Sequence, residues 1–114
     1  MVVNFWASWC PPCVSEMRSM QRGAEWLGKY RGRFLAVNMG EAPEVVAKFV
    51  SGLGFEIPVL LDSDGKISSR WGNQRLPATY VVDSKGRVAY RALGARQWDD
   101  PLLLVPLRSL AMEE

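Results

Sequence analysis

The sequence predicts an α/β fold: a mixed central sheet with helices on both of its faces. Three observations lead there. Apolar strand runs alternate with helical stripes through the first half of the chain. Two strand-like runs then flank Asp83-Ser84-Lys85-Gly86, which reads as the turn of a hairpin. An apolar stretch behind Asp99-Asp100-Pro101 reads as a closing helix. Crossovers make parallel neighbours and a hairpin makes antiparallel ones, so the sheet is expected to be mixed.

The elements follow in order. Val2 to Ala7 is a buried first strand. Ser8-Trp9-Cys10-Pro11-Pro12 opens a helix, since proline is tolerated where the first-turn N–H groups have no helical partner. Cys13, Met17, Met20, Ala24 and Leu27 recur at steps of four and three and form its buried stripe, which ends near Gly28 to Gly32. Phe34 to Asn38 is a second strand. Pro43 starts a helix whose inner face is Val46, Phe49 and Val50, stopping near Gly52 and Gly54. Pro58 to Leu61 is a third strand, closed by Asp62-Ser63-Asp64-Gly65, and Lys66 to Trp71 is a short helical piece. Thr79 to Val82 and Arg87 to Tyr90 make the hairpin. Asp99 or Asp100 caps the last helix, with Leu103, Leu107 and Leu110 as its core face and Pro106 expected to break or kink it.

The chain of 114 residues is enough for one domain, 1–114, and too few for two. Its 48% hydrophobic and 23% charged residues are near the globular averages, and no apolar run approaches the ~18 residues of a membrane span. Fourteen Lys and Arg against twelve Asp and Glu give a scattered net charge of +2, with no basic stripe to bind nucleic acid. Histidine is absent, which excludes a Ser-His-Asp triad, a Cys-His dyad and any His-ligated metal. Asp62 to Gly65 also fails as a calcium loop, because Leu60 and Trp71 fall at the first and twelfth ligand positions. A strand that starts at residue 2 is expected to have lost sequence upstream; the alternative is that the natural chain starts there.

Cysteine chemistry rests on Cys10 and Cys13 alone. A spacing of three at the start of a helix puts both sulfurs on one face of the first turn, close enough to bond. Helix N-termini carry unpaired N–H groups and partial positive charge, which favour thiolate over thiol. Cys10 is expected to be the outer, attacking thiol and Cys13 the shielded, resolving one. Pro11 and Pro12 have no N–H, so the donors nearest Cys10 are those of Cys13 and Val14. That limits thiolate stabilisation and argues against a very strong oxidant. A plain structural disulfide and half of an intermolecular metal site are the alternatives.

The run Val3-Asn4-Phe5-Trp6-Ala7-Ser8-Trp9-Cys10-Pro11-Pro12-Cys13 resembles the active-site segment of the thioredoxin superfamily, and most of all its TlpA/ResA/CcmG-type thiol–disulfide oxidoreductases. Val37-Asn38-Met39-Gly40-Glu41, Pro58-Val59-Leu60-Leu61-Asp62 and Leu76-Pro77-Ala78-Thr79-Tyr80-Val81-Val82-Asp83 carry the resemblance along nearly the whole chain. It implies a thioredoxin-like fold that lacks the family's N-terminal strands. It also implies dithiol–disulfide exchange with protein disulfides such as apocytochrome c, recharged by a membrane electron donor of DsbD or CcdA type. No prosthetic group is implied beyond the redox-active cysteine pair. Location is expected to be extracytoplasmic if a signal or anchor precedes this chain, and cytoplasmic otherwise.

The resemblance also assigns roles. Pro77 is expected to be a cis-proline facing the cysteines, turning the Leu76 backbone toward a substrate peptide. Trp9, Pro11 and Pro12 border the site, and Gly94 lets a substrate backbone approach. Glu16, helped by Glu41, is expected to let Cys13 ionise; two solvated helix-end glutamates are the alternative. Trp6, Trp71 and Trp98 are assigned to packing. Two departures stand out. Asn4 occupies the place of thioredoxin's buried Asp and cannot relay a proton, and Arg18 stands where many relatives have a helix-kinking proline, so the first helix should run straighter. A cytosolic thioredoxin, or a Cu(I) carrier using the same two thiolates, remains open at this point.

Overall fold

The computed structural model describes residues 1–72 and 75–113. Its elements run β1 (Val2–Trp6), α1 (Pro11–Gly28), β2 (Phe34–Met39), α2 (Pro43–Leu53), β3 (Val59–Asp62), α3 (Lys66–Arg70), β4 (Ala78–Val82), β5 (Val88–Leu93) and α4 (Pro101–Ala111). This is the expected order, with β5 three residues longer at its far end than the apolar run indicated.

The strands form one sheet in the order β3-β2-β1-β4-β5. β1 runs parallel to β2, with Val2 opposite Phe34 and Trp6 opposite Asn38. β2 runs parallel to β3, while β1–β4 and β4–β5 are antiparallel. β1 is central, and all five of its residues are buried. That explains a nearly continuous apolar run with a single polar member, Asn4.

Helices cover the two faces unequally. Val2, Trp6, Phe34, Ala36 and Val81 share one core with Met17, Met20 and Leu27 of α1, Val46 of α2, and Leu104 and Leu107 of α4. The opposite face groups Val3, Phe5, Val37, Ala78 and Tyr80. There the Trp71 ring, just past α3, packs 5.4 Å from Phe5 and 4.8 Å from Tyr80. α1 and α4 are pinned together where the Arg108 guanidinium lies 5.5 Å from the Trp26 ring and 5.3 Å from Tyr30.

Three local expectations change. α4 is continuous through Pro106. The bond that proline forfeits would have gone to the Leu102 carbonyl, and Leu102 is 84% exposed, so water can take its place. The most deeply buried face of α4 is Leu104 and Leu107, with Leu103 and Leu110 only half-buried. The buried side of α1 is broader than an apolar stripe, because Glu16, Ser19 and Gly23 are buried with it while Ala24 is half-buried.

Gly23 sets how closely α1 approaches the loop before α4. A Cβ built there would lie 2.4 Å from the Trp98 carbonyl oxygen. Gly23→Ala therefore gains helix propensity of about 1 kcal/mol but must push that loop away, at a cost of about 1–3 kcal/mol. Urea unfolding should show net destabilisation, and a stabilised variant would mean that the loop yields freely.

Candidate active site

β1 delivers the chain through Ala7, Ser8 and Trp9 to Cys10, which is the N-cap of α1. Its extended backbone (φ −102°, ψ 102°) lets the Sγ accept the Cys13 N–H at 3.3 Å. Pro11 and Pro12 fill the first helical positions, where an N–H would have had no helical partner. Cys10 and Cys13 are joined as a disulfide with their Cα atoms 5.3 Å apart. Of the two donors expected near Cys10, only Cys13 reaches the sulfur. The Val14 N–H is spent on the Cys10 carbonyl at 3.1 Å, as regular helix geometry requires.

Accessibility also differs from expectation. Cys13 is 1% exposed, but Cys10 is only 5% exposed, so the outer thiol is far less open than a surface nucleophile. The bonded pair folds back onto the first turn and joins the core around Trp6 and Ala7. Trp9, by contrast, is 64% exposed, and Pro11 and Pro12 are exposed beside it. A partner therefore meets an apolar rim first and the sulfur through a small opening.

The β4 side supplies the other wall. The Leu76–Pro77 bond is cis. Pairing of Phe5 with Ala78 carries this peptide alongside the end of β1. The Pro77 carbonyl accepts the Gly94 N–H at 2.9 Å, and Gly94 sits at φ 90°, which only glycine adopts without strain. Leu76 is half-buried and packs against both cores.

Glu16 is the buried charge of the site, at 2% exposure. Its Oε1 accepts the Asn4 amide at 2.9 Å. Its Oε2 accepts the Arg96 backbone N–H at 3.0 Å and the Trp98 indole N–H at 2.9 Å. Burial pushes its carboxyl above the usual value, and these three donors with the Arg96 charge offset only part of that. Asn4 also donates to the Thr79 hydroxyl at 2.9 Å, so one amide ties α1 through β1 to β4. In the disulfide form Glu16 makes no hydrogen bond to either sulfur.

Glu41 is placed differently. Its Oε1 accepts the Ser8 N–H at 2.7 Å and the Asn38 amide at 2.8 Å, and its Oε2 accepts the Ser8 hydroxyl at 2.5 Å. Burial would raise its pKa, but these donors outweigh it and hold the carboxyl below the usual range. Glu41 thus clamps the loop carrying Trp9 and Cys10 onto the end of β2. Glu16 is therefore buried, while Glu41 is half-exposed but held by three hydrogen bonds.

Sequence reasoning missed Trp98, Ser8, Asn38 and Arg96 as partners of these carboxylates. The sequence marks Trp98 for packing alone. The available signal was a tryptophan in an otherwise polar stretch, Arg96-Gln97-Trp98-Asp99-Asp100.

A helix N-terminus capped by one sulfur of a Cys-Pro-Pro-Cys disulfide, next to a cis-proline strand in a mixed sheet, defines a protein of thioredoxin-like fold. Residues 1–103 match the Redoxin family, and the chain belongs to it. Among its relatives, the thiol-disulfide oxidoreductase ResA of Geobacillus thermodenitrificans is 33% identical over 98 residues, 86% of this chain and 56% of that protein. The chain therefore spans about half the length of the curated relatives it matches. A thiol:disulfide interchange protein of the thioredoxin family from Chlorobium tepidum superposes with a TM-score of 0.80 at 25% identity, covering 98% of this chain and 79% of that one. A secreted thiol-disulfide isomerase from Corynebacterium glutamicum gives 0.81 at 26%, covering 95% and 70%. These likenesses place the chain with the TlpA/ResA-like members of the thioredoxin superfamily.

The two glutamates should separate in solution. A carboxyl whose pKa is higher in the folded chain binds its proton more tightly there. Glu16 therefore costs the fold stability as pH rises from its unfolded value of about 4.3 through its raised folded value. The stability of wild type minus that of Glu16→Gln should fall over that range and then level off; a flat difference would show an unperturbed carboxyl. For Glu41 the sign is opposite. Its contribution is present above the unfolded value and lost as pH falls through the lower folded one. Ser8→Ala or Glu41→Gln should cost about 1 kcal/mol at neutral pH, screened at this half-exposed place, and progressively less in acid.

Proposed function

We propose that the protein exchanges disulfides with protein partners through Cys10 and Cys13, as an extracytoplasmic reductant of the cytochrome c maturation type. The observation that carries the reading is the disulfide at the N-terminus of α1, with Cys10 Sγ on the Cys13 N–H. When the pair is reduced, that same N–H and the helix dipole stabilise a Cys10 thiolate.

The reaction then balances in two steps. The Cys10 thiolate attacks one sulfur of a partner disulfide, and the other partner sulfur leaves as a thiolate. The Cys13 thiolate next attacks Cys10 Sγ, forming the internal disulfide and releasing the second partner thiolate. The partner gains two electrons, which this protein loses. A protein such as apocytochrome c fits the substrate, and a membrane dithiol donor of DsbD or CcdA type fits the return of electrons. The extracytoplasmic location is supported by the relative described as secreted.

Cys13 must lose a proton while almost fully buried, where desolvation opposes its thiolate. Glu16 lies three residues further along the same face of α1. Three donors occupy its carboxylate, leaving a lone pair for that proton. Glu41 helps by position, holding Ser8 and so the entry to Cys10. Leu76 offers its backbone to the partner, and Trp9, Pro11, Pro12 and Gly94 leave room for it.

Cys10→Ser should abolish exchange, whereas Cys13→Ser should attack once and accumulate a mixed disulfide visible by non-reducing mass analysis. With a single reachable N–H at Cys10, the reduction potential should lie nearer about −270 mV than about −120 mV. A Cys13→Ser variant that traps nothing would overturn the reading, and a strongly oxidising potential would overturn its direction.

A further inference from the structure

We infer that the site selects partner disulfides flanked by acidic residues, through Arg96 and Arg75 on its β4–β5 side; this rests on the exchange reaction proposed above. β1, which leads to Cys10, has β2 on one side and β4 then β5 on the other. The carboxylate after β2 is Glu41, already engaged by Ser8 and Asn38. Glu44, in the first turn of α2, is offset by Lys48 one turn on, which shares a pocket with Ser8. On the opposite side the chain enters β4 through Arg75-Leu76-Pro77 and leaves β5 through Gly94-Ala95-Arg96. The Gly94 N–H to Pro77 carbonyl bond holds these two segments side by side. Two arginines thus bracket the cis peptide that would receive a substrate backbone.

Both side chains are exposed, and among the described residues neither is in an ion pair. Arg96 is the better fixed. Its N–H is bound to Glu16, one turn beyond Cys13, and its Nη1 donates to the Ala95 carbonyl at 3.0 Å. The same Nη1 would lie 3.6 Å from a Cβ at Gly94, so the exposed guanidinium stands beside the glycine. Arg96 also borders a groove of about 330 Å³ between β5 and α4, floored by Val81, Ala92, Trp98 and Leu107. A partner segment leaving the cysteines toward β5 therefore meets positive charge first and an apolar groove next. A segment leaving toward α2 meets Glu44 and Lys48 together, with no net charge. An acidic residue beside the partner's disulfide is favoured in the first direction and a basic one is not.

Three disulfide-linked peptides, identical except for Asp, Ser or Lys on either side of the cysteine, provide the test. The reduced full chain acts on them with dithiothreitol as the recycling dithiol, and kcat/KM is compared within each variant. Taking ratios cancels any change in thiol reactivity, which matters because the Arg96 charge also acts on Glu16. At low salt the Asp peptide should exceed the Lys peptide by about tenfold, narrowing as salt screens the charges. The ratio should fall several-fold in Arg96→Gln and again in Arg75→Gln/Arg96→Gln, survive in Arg96→Lys, and reverse in Arg96→Glu. Equal turnover of all three peptides by the wild-type protein, or a ratio indifferent to the substitutions, overturns the charge selection alone. Turnover of none overturns the exchange reaction and this inference together.

Discussion

A sulfur atom that caps a helix holds this structure and its chemistry together. Pro11 and Pro12 remove two of the N–H groups at the start of α1, and Val14 gives its own to the Cys10 carbonyl. One donor, the Cys13 N–H, is left for Cys10 Sγ. The same contact that ends the N-terminus of the helix in the oxidised form stabilises the charge on sulfur in the reduced form. Local helix geometry and redox bias are therefore not separable here.

Behind the disulfide, polar atoms replace what would otherwise be plain core. Glu16 is buried by its position on the inner side of α1, and the chain surrounds it with an amide from β1, a backbone N–H and an indole from the loop before α4. A buried carboxyl is costly unless its hydrogen bonds are made. Gly23 permits the close approach that brings the Trp98 segment onto α1. Ser19 reinforces it by accepting the Trp98 N–H at 3.0 Å. The three elements converge because each supplies a bond that Glu16 lacks on its own.

Much of this was legible in the sequence, for definite reasons. β1 has apolar residues at nearly every position because both its faces are covered, and α1 has steps of three and four because one side is. Asp99 and Asp100, in front of Pro101, were both candidates to cap α4, and Asp100 does so by accepting the Leu102 N–H. The cysteine spacing and the cis bond at Pro77 were available from the resemblance. What stayed hidden was pairing across long separations: Trp98 with Glu16, and Ser8 with Glu41. Such bonds depend on how loops close over the sheet, which no local period records. The near-burial of Cys10 was hidden for the same reason, since a capping residue reads as surface until the flanking segments are in place. Pro106 does not end α4, because the turn it deprives of a bond, at Leu102, faces solvent, and no local pattern tells which side of a helix that will be.

The uneven roofing of the sheet gives the molecule two regions of different resistance to opening. On the dithiol side three helices share a core with the strands, and loosening any one exposes large apolar area. The other side is closed chiefly by the indole of Trp71 against Phe5 and Tyr80. Brief, partial excursions from the native state thus have their lowest threshold around α3, where lifting one ring admits solvent to Phe5. The disulfide and its carboxylate lie beneath the sturdier roof, so such breathing can come and go without disturbing the spacing of the sulfurs.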